Sequence, residues 1–286
     1  MKTITFETIA ETVADLCVQA CTELPGVLRE CLKCRATAEP YAPARDTLRL
    51  MGENADTARR TGLPICQDTG MTVVFAELGQ EVHITGGLLE EAIHEGVRRG
   101  YTRGYLRKSV VKDPLRRVNT GDNTPAMVHI RLVRGDALRL TVSPKGAGSE
   151  NMSRLAMLTP AQGIAGVEDF VVDSVRRAGA NPCPPMVVGV GIGGNLEGVA
   201  LLAKEALARL REGPHPDPFY EEMEQRLLKR INGLGIGPQG FGGETTALMV
   251  RIQAAPTHIA SLPVAVNIGC HVTRHAEATL KGVEEA

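Results

Sequence analysis

Alternating helix and strand patterns constrain the fold of this chain more than any other feature of its sequence. Apolar residues recur at spacings of three to four through residues 4–62, and this periodicity predicts successive helices. Short apolar runs typical of strands then alternate with further helical patterns as far as residue 268. We therefore expect a mixed α/β (α+β) fold with an N-terminal helical part, residues 1–62, in a single domain that covers residues 1–286.

The individual elements are predicted as follows. The first helix contains residues 6–20, and the other helices are expected at residues 25–37, 43–60, 88–103, 160–178, 193–211 and 219–232. Strands are expected at residues 71–78, 81–84, 125–132, 137–143, 186–190, 245–252 and 262–268. The turn V-R-G-D (residues 133–136) indicates a hairpin between the third and fourth of these strands.

Composition and charge argue against several classes of function. The formal net charge is −1, which does not favour a broad surface for nucleic acid or acidic membranes. No apolar run reaches the roughly 18 residues that a membrane span needs. The N-terminus also lacks the apolar segment of a secretory signal. We therefore expect a cytoplasmic protein in which thiols are ligands or buried groups rather than disulfides.

The seven cysteines fall into two groups. Four lie within helical patterns, and we interpret them as small, semi-buried helix residues rather than a zinc site: Cys17, Cys21, Cys31 and Cys34. The other three lie outside helices, close to Pro or Gly and next to strand-like runs: Cys66, Cys183 and Cys270. The separations between these three are far too long for a ferredoxin motif, so their spacing alone is a weak sign of a shared cluster.

Two glycine-rich stretches approach known anion-binding patterns. G-V-G-I-G-G (residues 189–194) satisfies G-x-G-x-x-G, but no strand ending in an acid follows roughly 20 residues later. We interpret it as a tight strand-to-helix turn whose amides can face an anion, with a Rossmann oxidoreductase as an alternative. K-G-A-G-S (residues 145–149) does not have the residue order of the Walker A phosphate loop, because its lysine precedes the glycines. It is either a backbone nest that binds a carboxylate or a flexible segment that leaves a hairpin.

The stretch P-I-C-Q-D-T-G (residues 64–70) places a thiol, an amide, a carboxylate and a hydroxyl at successive positions between a predicted helix and a strand. Such a turn can hold reactive side chains on rigid neighbours while leaving them reachable. We expect Cys66 to bind a metal cluster and Asp68 to act on a substrate beside it. His258 lies shortly before the strand that leads to Cys270, so we expect it to reach a site at that strand's end.

Five motifs in register resemble those of the class I iron–sulfur fumarate hydratases and L-tartrate dehydratases. The resemblance covers roughly residues 5–280, and it is to the separate α subunit of the two-subunit enzymes. The motifs are C-Q-D-T-G (66–70), K-G-A-G-S-E-N (145–151), N-P-C-P-P with G-V-G-I-G (181–193), G-L-G-I-G-P-Q-G (233–240) and C-H-V-T-R-H-A (270–276).

The resemblance implies an iron–sulfur hydro-lyase α-type domain and a set of site residues. A [4Fe–4S] cluster would be held by Cys66, Cys183 and Cys270, which leaves one iron open as a Lewis acid. Asp68 would be the catalytic proton carrier. The substrate would be bound by Gln67, Arg107, Gly146 and His258, with the Arg107 guanidinium matching a carboxylate.

The resemblance also implies a partner and a substrate class. Single-chain relatives carry a further domain with the remaining charged groups, so we expect a separate β subunit, in an assembly such as α2β2. Residues 148–151 and 273–276 look fumarase-like, which favours interconversion of (S)-malate and fumarate, a tricarboxylic acid cycle reaction, over dehydration of L-tartrate or hydration of mesaconate. The alternatives of a different class are an iron–sulfur redox carrier or sensor and a binding module with structural cysteines.

Overall fold

The computed structural model describes residues 2–208, 210 and 213–284. Its helices are α1 (Phe6–Thr22), α2 (Gly26–Ala38), α3 (Ala42–Thr61), α4 (Leu89–Arg103), α5 (Ala147–Glu150), α6 (Gly163–Ala178), α7 (Leu196–Ala208) and α8 (Pro218–Asn232). Its strands are β1 (Lys2–Thr5), β2 (Met71–Gly79), β3 (Val82–Thr85), β4 (Met127–Val133), β5 (Ala137–Lys145), β6 (Arg154–Leu158), β7 (Met186–Gly194), β8 (Ala247–Thr257), β9 (Leu262–Gly269), β10 (Ala276–Lys281) and β11 (Val283–Glu284). The predicted mixed α/β fold with three N-terminal helices is confirmed.

The contacts within the chain divide it into two compact units. Unit 1 comprises Met1–Pro25, Ala55–Ala147 and Arg274–Ala286, and unit 2 comprises Gly26–Asn54 and Gly148–Thr273. The prediction of one domain over residues 1–286 stays a prediction. None of the helices in the described part of the chain combines the length and apolar character needed to span a bilayer.

The main sheet of unit 1 has the strand order β10-β5-β2-β4. Strand β2 pairs with β5 in the antiparallel direction and with β4 in the parallel direction. Helix α1 packs against α4 and β5, and the apolar residues of these elements form one buried cluster. A smaller sheet, β11-β1-β3, completes the unit. The predicted hairpin between β4 and β5 is wrong, because β2 lies between them and takes the hydrogen bonds of both strands.

Helices α1 and α4 approach each other so closely that a glycine is required at the contact. A Cβ atom on Gly100 would lie 2.7 Å from the Ala14 carbonyl oxygen and 2.9 Å from the Cys17 Cβ. By contrast, nothing lies within 4 Å of a Cβ placed on Gly52 in α3. Gly52 therefore has room for a side chain, whereas Gly100 has none.

We expect Gly100→Ala to lower the free energy of unfolding by about 1–3 kcal/mol, because the added methyl group must push two packed helices apart. Gly52→Ala should instead leave stability unchanged or raise it by roughly 0.5–1 kcal/mol, since alanine costs less backbone entropy in a helix. Urea unfolding of both variants measures the difference. Equal effects of the two substitutions would contradict the close packing of α1 on α4.

The sheet of unit 2 has the order β6-β9-β7-β8, with β7 antiparallel to β9 and parallel to β8. Successive side chains of a strand point to opposite faces. Val188 and Val190 join the apolar cluster formed with α6 and α8. Gly189 and Gly191 lie against α7, where a Cβ on Gly189 would be 2.5 Å from the Ala203 carbonyl oxygen. The sheet is thus covered by helices on both faces.

Residues 189–194 do not form the predicted strand-to-helix turn. They belong to β7, and the next helix begins only at Leu196. The alternate glycines of this run let α7 pack directly on the strand, so their role is steric. A dinucleotide fingerprint needs its glycines in the turn that opens the helix, and the structure therefore does not support the Rossmann alternative.

Candidate functional site

Segments that carry predicted site residues meet at one end of the unit 1 sheet. The C-Q-D-T-G stretch precedes β2 and the K-G-A-G stretch follows β5, and these antiparallel strands place Met71 opposite Lys145. Strand β10 is antiparallel to β5, so Arg274, two residues before β10 begins, lies at this same end. In an antiparallel pair, one strand begins at the end of the sheet where its neighbour finishes. The topology therefore brings together residues that are far apart in sequence.

The carboxylate of Asp68 is fixed by two backbone amides. Its Oδ1 accepts a hydrogen bond from Gly70 N at 3.0 Å, and its Oδ2 accepts one from Ala147 N at 3.0 Å. A Cβ on Gly146 would lie 2.9 Å from Oδ2, so the glycine lets the loop backbone approach the carboxylate. The structure thus brings Asp68 and Gly146 together, and each carboxylate oxygen keeps lone-pair capacity for a substrate or a proton.

Tyr101 of α4 holds the C-Q-D-T-G turn in place through hydrogen bonds of its buried hydroxyl. Its side chain is 1% exposed, and burial raises its pKa well above the ordinary value, so the hydroxyl stays protonated. The hydroxyl donates to the Thr69 carbonyl at 2.7 Å and accepts from the Thr72 hydroxyl at 3.1 Å. No sequence motif marks this tyrosine, since its role depends on the tertiary contact between a helix and a distant turn.

Arg107 lies beside the same turn because two side chains link the segments. The Thr69 hydroxyl donates to the Arg107 carbonyl at 2.9 Å. Asn123, which is fully buried, donates to the Gly70 carbonyl at 3.2 Å and accepts from Ser109 N at 2.7 Å. The side chains of Gln67 and Arg107 are exposed, so both remain accessible to a small molecule.

We expect Tyr101→Phe to lower the free energy of unfolding by about 1–3 kcal/mol, since it removes a buried donor from the Thr69 carbonyl. It should also lower turnover, because the turn that carries Asp68 loses its support. Tyr105→Phe is the matched control, as this tyrosine is 92% exposed. Thermal unfolding and steady-state rates of both variants provide the test, and indistinguishable variants would refute the role of Tyr101.

In unit 2, Cys183 and Cys270 lie at the same end of the β7–β9 pair. Cys183 precedes β7 and Cys270 follows the antiparallel β9, with Val187 opposite Gly269. The main-chain amide of His271 donates to the Cys183 carbonyl at 3.4 Å, and the ring Nδ1 of His271 lies 3.0 Å from this oxygen. Cys183 has a φ of 53°, an uncommon conformation for a residue with a side chain, and such strain is concentrated at functional sites.

Two further motifs brace the segments that carry these cysteines. Gln239, in the G-L-G-I-G-P-Q-G loop, donates to the Pro184 carbonyl through its main-chain N at 2.8 Å and through Nε2 at 3.0 Å. In the K-G-A-G-S-E-N stretch, Glu150 accepts from Asn267 Nδ2 at 2.9 Å and pairs with Lys204. Asn267 belongs to β9, so this pairing ties the glycine-rich stretch to the strand that ends before Cys270.

Within unit 2, His258 and Cys270 lie on either side of strand β9 in the sequence. His258 precedes β9 and Cys270 follows it, so the eight residues of the strand separate them. At the rise of an extended strand this corresponds to about 26 Å. The His258 ring accepts a hydrogen bond from Ala260 N at 3.2 Å and is exposed in the turn between β8 and β9. Its assignment to the substrate stays a prediction.

The cysteines differ in environment as the sequence predicts. Cys17 and Cys21 are buried in α1, and burial raises the pKa of Cys21 to about 11. Cys31 is half-buried in α2, where its thiol contacts the Leu248 carbonyl at 3.4 Å. Cys34 is exposed on α2, and three cysteines lie outside helices and form no disulfide: Cys66, Cys183 and Cys270. Across the described residues, no three His, Cys, Asp or Glu side chains are close enough together to form a metal site.

Comparison with known proteins identifies the family to which this chain belongs. The model of the family described as fumarate hydratase (Fumerase) matches residues 10–279. The chain is 39% identical over 280 residues to a putative L(+)-tartrate dehydratase subunit alpha of Methanocaldococcus jannaschii, a match that covers 96% of this chain and 98% of the relative. It is 31% identical over 296 residues to the L(+)-tartrate dehydratase subunit alpha of Escherichia coli strain K12, with 96% and 93% covered. The chain therefore belongs to the fumarate hydratase (Fumerase) family and is a hydro-lyase.

Proposed function

We propose that this chain is the α subunit of a cytoplasmic [4Fe–4S] hydro-lyase that removes water from a 2-hydroxy dicarboxylate, with L(+)-tartrate as its substrate. The observation that carries the proposal is the fixed carboxylate of Asp68, which lies beside the accessible side chains of the turn at one end of a sheet. A rigid carboxylate in a turn whose neighbouring segment carries the exposed Arg107 suits proton transfer on a bound dicarboxylate.

The choice of substrate differs from the one that the sequence motifs favour. Those motifs favour (S)-malate, whereas the two relatives compared above are named as tartrate dehydratase subunits. We therefore place L(+)-tartrate first. (S)-Malate is the second candidate because the matching family model is described as fumarate hydratase. Mesaconate is a third dicarboxylate of the same class.

Three thiols fit the proposed cluster, because iron–sulfur clusters are held by cysteine thiolates. Cys66, Cys183 and Cys270 lie outside helices, form no disulfide and are not fully buried. They would hold the cluster, which when bound would supply a Lewis acid for the leaving hydroxyl. An iron–sulfur carrier without hydro-lyase activity would not need a fixed carboxylate such as that of Asp68 beside one of these thiols.

The other residues of the turn have roles in this proposal that follow from their chemistry. The guanidinium of Arg107 binds a substrate carboxylate through its paired N–H donors. The amide of Gln67 orients a substrate oxygen. Asp68 carries a proton to or from the reacting oxygen, and the amides of Gly70 and Ala147 hold it in the orientation that this transfer requires.

A separate β subunit completes the proposed enzyme. The relatives are named as alpha subunits, which supports a second chain. A dicarboxylate has two anionic ends, and Arg107 accounts for only one of them, so we propose that the β subunit supplies the other cationic groups. An α2β2 assembly is the form that we propose for the complete protein.

An anaerobic assay of this chain, with and without a co-expressed partner subunit, tests the proposal. Dehydration of L(+)-tartrate releases a 2-oxo acid, whereas dehydration of (S)-malate releases an unsaturated acid, so product analysis separates the two substrates. We expect the complex to prefer L(+)-tartrate and the isolated chain to be inactive. Preference for (S)-malate would assign the fumarase activity instead. A complex with its full iron content and no activity on either substrate would refute a hydro-lyase of this class.

A further inference from the structure

Arg274 is a buried cation of unit 1. Its side chain is 3% exposed, and no ion pair involves its guanidinium in the described part of unit 1. An uncompensated charge in a protein interior is costly, and buried charges are therefore normally paired with an anion. This residue is not one of the site residues expected from the sequence, although it lies in the C-H-V-T-R-H-A motif.

The guanidinium of Arg274 contacts the main chain of two segments of the site, a turn and a strand. Its Nη2 donates to the Asp68 carbonyl, and its Nε donates to the Pro144 carbonyl at 3.4 Å. Its own carbonyl accepts from the Ser143 hydroxyl at 2.9 Å. Arg274 therefore joins the C-Q-D-T-G turn to the end of β5, which leads into the loop that binds the Asp68 carboxylate.

One donor of this guanidinium is unused. Nη1 is buried and has no hydrogen-bond partner among the residues that the structure describes. The guanidinium also contacts the turn that carries Cys66, because Asp68, whose carbonyl accepts its hydrogen bond, is two residues after this cysteine.

We propose, on the basis of the proposed function, that Arg274 is a positioning residue whose guanidinium holds the Asp68 main chain and compensates the anionic cluster–thiolate group bound through Cys66. The two main-chain contacts account for the positioning. The absence of an ion pair with the described residues of unit 1 and the unused Nη1 support the compensation, since the group bound through Cys66 would be an anion at the turn that this guanidinium contacts.

Arg274→Gln removes the positive charge. Arg274→Lys keeps the charge but lacks the planar guanidinium that donates to the Asp68 and Pro144 carbonyls together. Arg139→Gln is the matched control, because Arg139 is an exposed arginine of the same sheet that is paired with Glu277. The reduction potential of the cluster is measured in the complex with the partner subunit. We expect a shift to more negative potential in Arg274→Gln only, since loss of a positive charge disfavours the more negative reduced cluster.

Steady-state rates separate positioning from charge. We expect kcat to fall about ten- to hundred-fold in both Arg274 variants, since misplacement of a catalytic group by 1 Å has this effect. KM should change much less, because the side chains of Gln67 and Arg107 are untouched. A wild-type potential together with a wild-type kcat in Arg274→Gln would overturn the proposal. A shifted reduction potential in Arg274→Lys, which keeps the positive charge, would overturn the proposal that the charge of Arg274 compensates the cluster.

Hydrogen exchange of the cluster-free chain gives a readout that does not depend on the proposed function. We expect faster amide exchange in the peptide that covers residues 63–72 of Arg274→Gln than in the wild type or in Arg139→Gln. Equal exchange in all three proteins would overturn the positioning role. Failure of the wild-type complex to bind a cluster would count against the proposed function instead, and the exchange result would still decide the positioning of Asp68.

Discussion

Replacing any one of Cys66, Cys183 and Cys270 with alanine will leave the chain almost without iron after anaerobic reconstitution. A cluster held by three protein thiolates cannot lose one of them and keep its remaining ligand geometry. The wild type should take up about four irons per chain, as expected for a [4Fe–4S] cluster. Iron and sulfide analysis together with the visible absorption of the cluster measures this loss.

Cys34→Ala is the matched control for these three variants. Cys34 is exposed on α2, and its thiol lies 3.7 Å from the Glu30 carboxylate rather than next to a site residue. We expect this variant to retain the iron content of the wild type. If Cys34→Ala loses the cluster and Cys66→Ala keeps it, the assignment of the three ligands is refuted.

Asp68→Asn should lower kcat by about 10²–10⁴-fold while the cluster absorption persists, because an amide cannot exchange a proton with the reacting oxygen. The structure adds a second expectation. The carboxylate accepts hydrogen bonds on both oxygens, from Gly70 N and Ala147 N, whereas the asparagine amide accepts on only one. We therefore expect a loss of roughly 1–3 kcal/mol in stability from the donor left unpaired.

Two measurements on the Asp68→Asn variant separate these effects. Iron content and absorption report on the cluster, and urea unfolding reports on the turn. Asp122→Asn is a useful comparison, because this aspartate also accepts from a backbone amide, Thr124 N at 3.0 Å, and is not a predicted site residue. A variant at Asp68 with wild-type kcat would exclude this residue as the proton carrier.

Local sequence signals predicted the order of helices and strands well, because these signals depend on neighbours in the chain. Thr5 caps α1 by accepting from Thr8 N, and Asp217 caps α8 by accepting from Phe219 N with Pro218 at the first helical position. The sequence does not predict the short strands β1, β6, β10 and β11. Each depends on pairing with a strand that is distant in the sequence.

The site was only partly predictable, because several of its contacts also join residues that are distant in the sequence. Cys66, Gln67 and Asp68 are adjacent in sequence, so one motif identifies all three. Tyr101 and Asn123 support that motif from other elements, and nothing in their local sequence indicates the contact. His258 is close to Cys270 in the sequence, but the sequence alone does not show that an extended strand separates the two residues over its whole length.

We propose that this chain holds a cluster in which one iron is open to a dicarboxylate substrate. Mössbauer spectroscopy of the ⁵⁷Fe-reconstituted complex tests it most directly, in the absence and in the presence of L(+)-tartrate. One iron with only sulfide ligands from the cluster and no cysteine should respond to the substrate. We expect a change in the isomer shift of about one quarter of the iron. Four irons that remain equivalent and unaffected by L(+)-tartrate and by (S)-malate would contradict it.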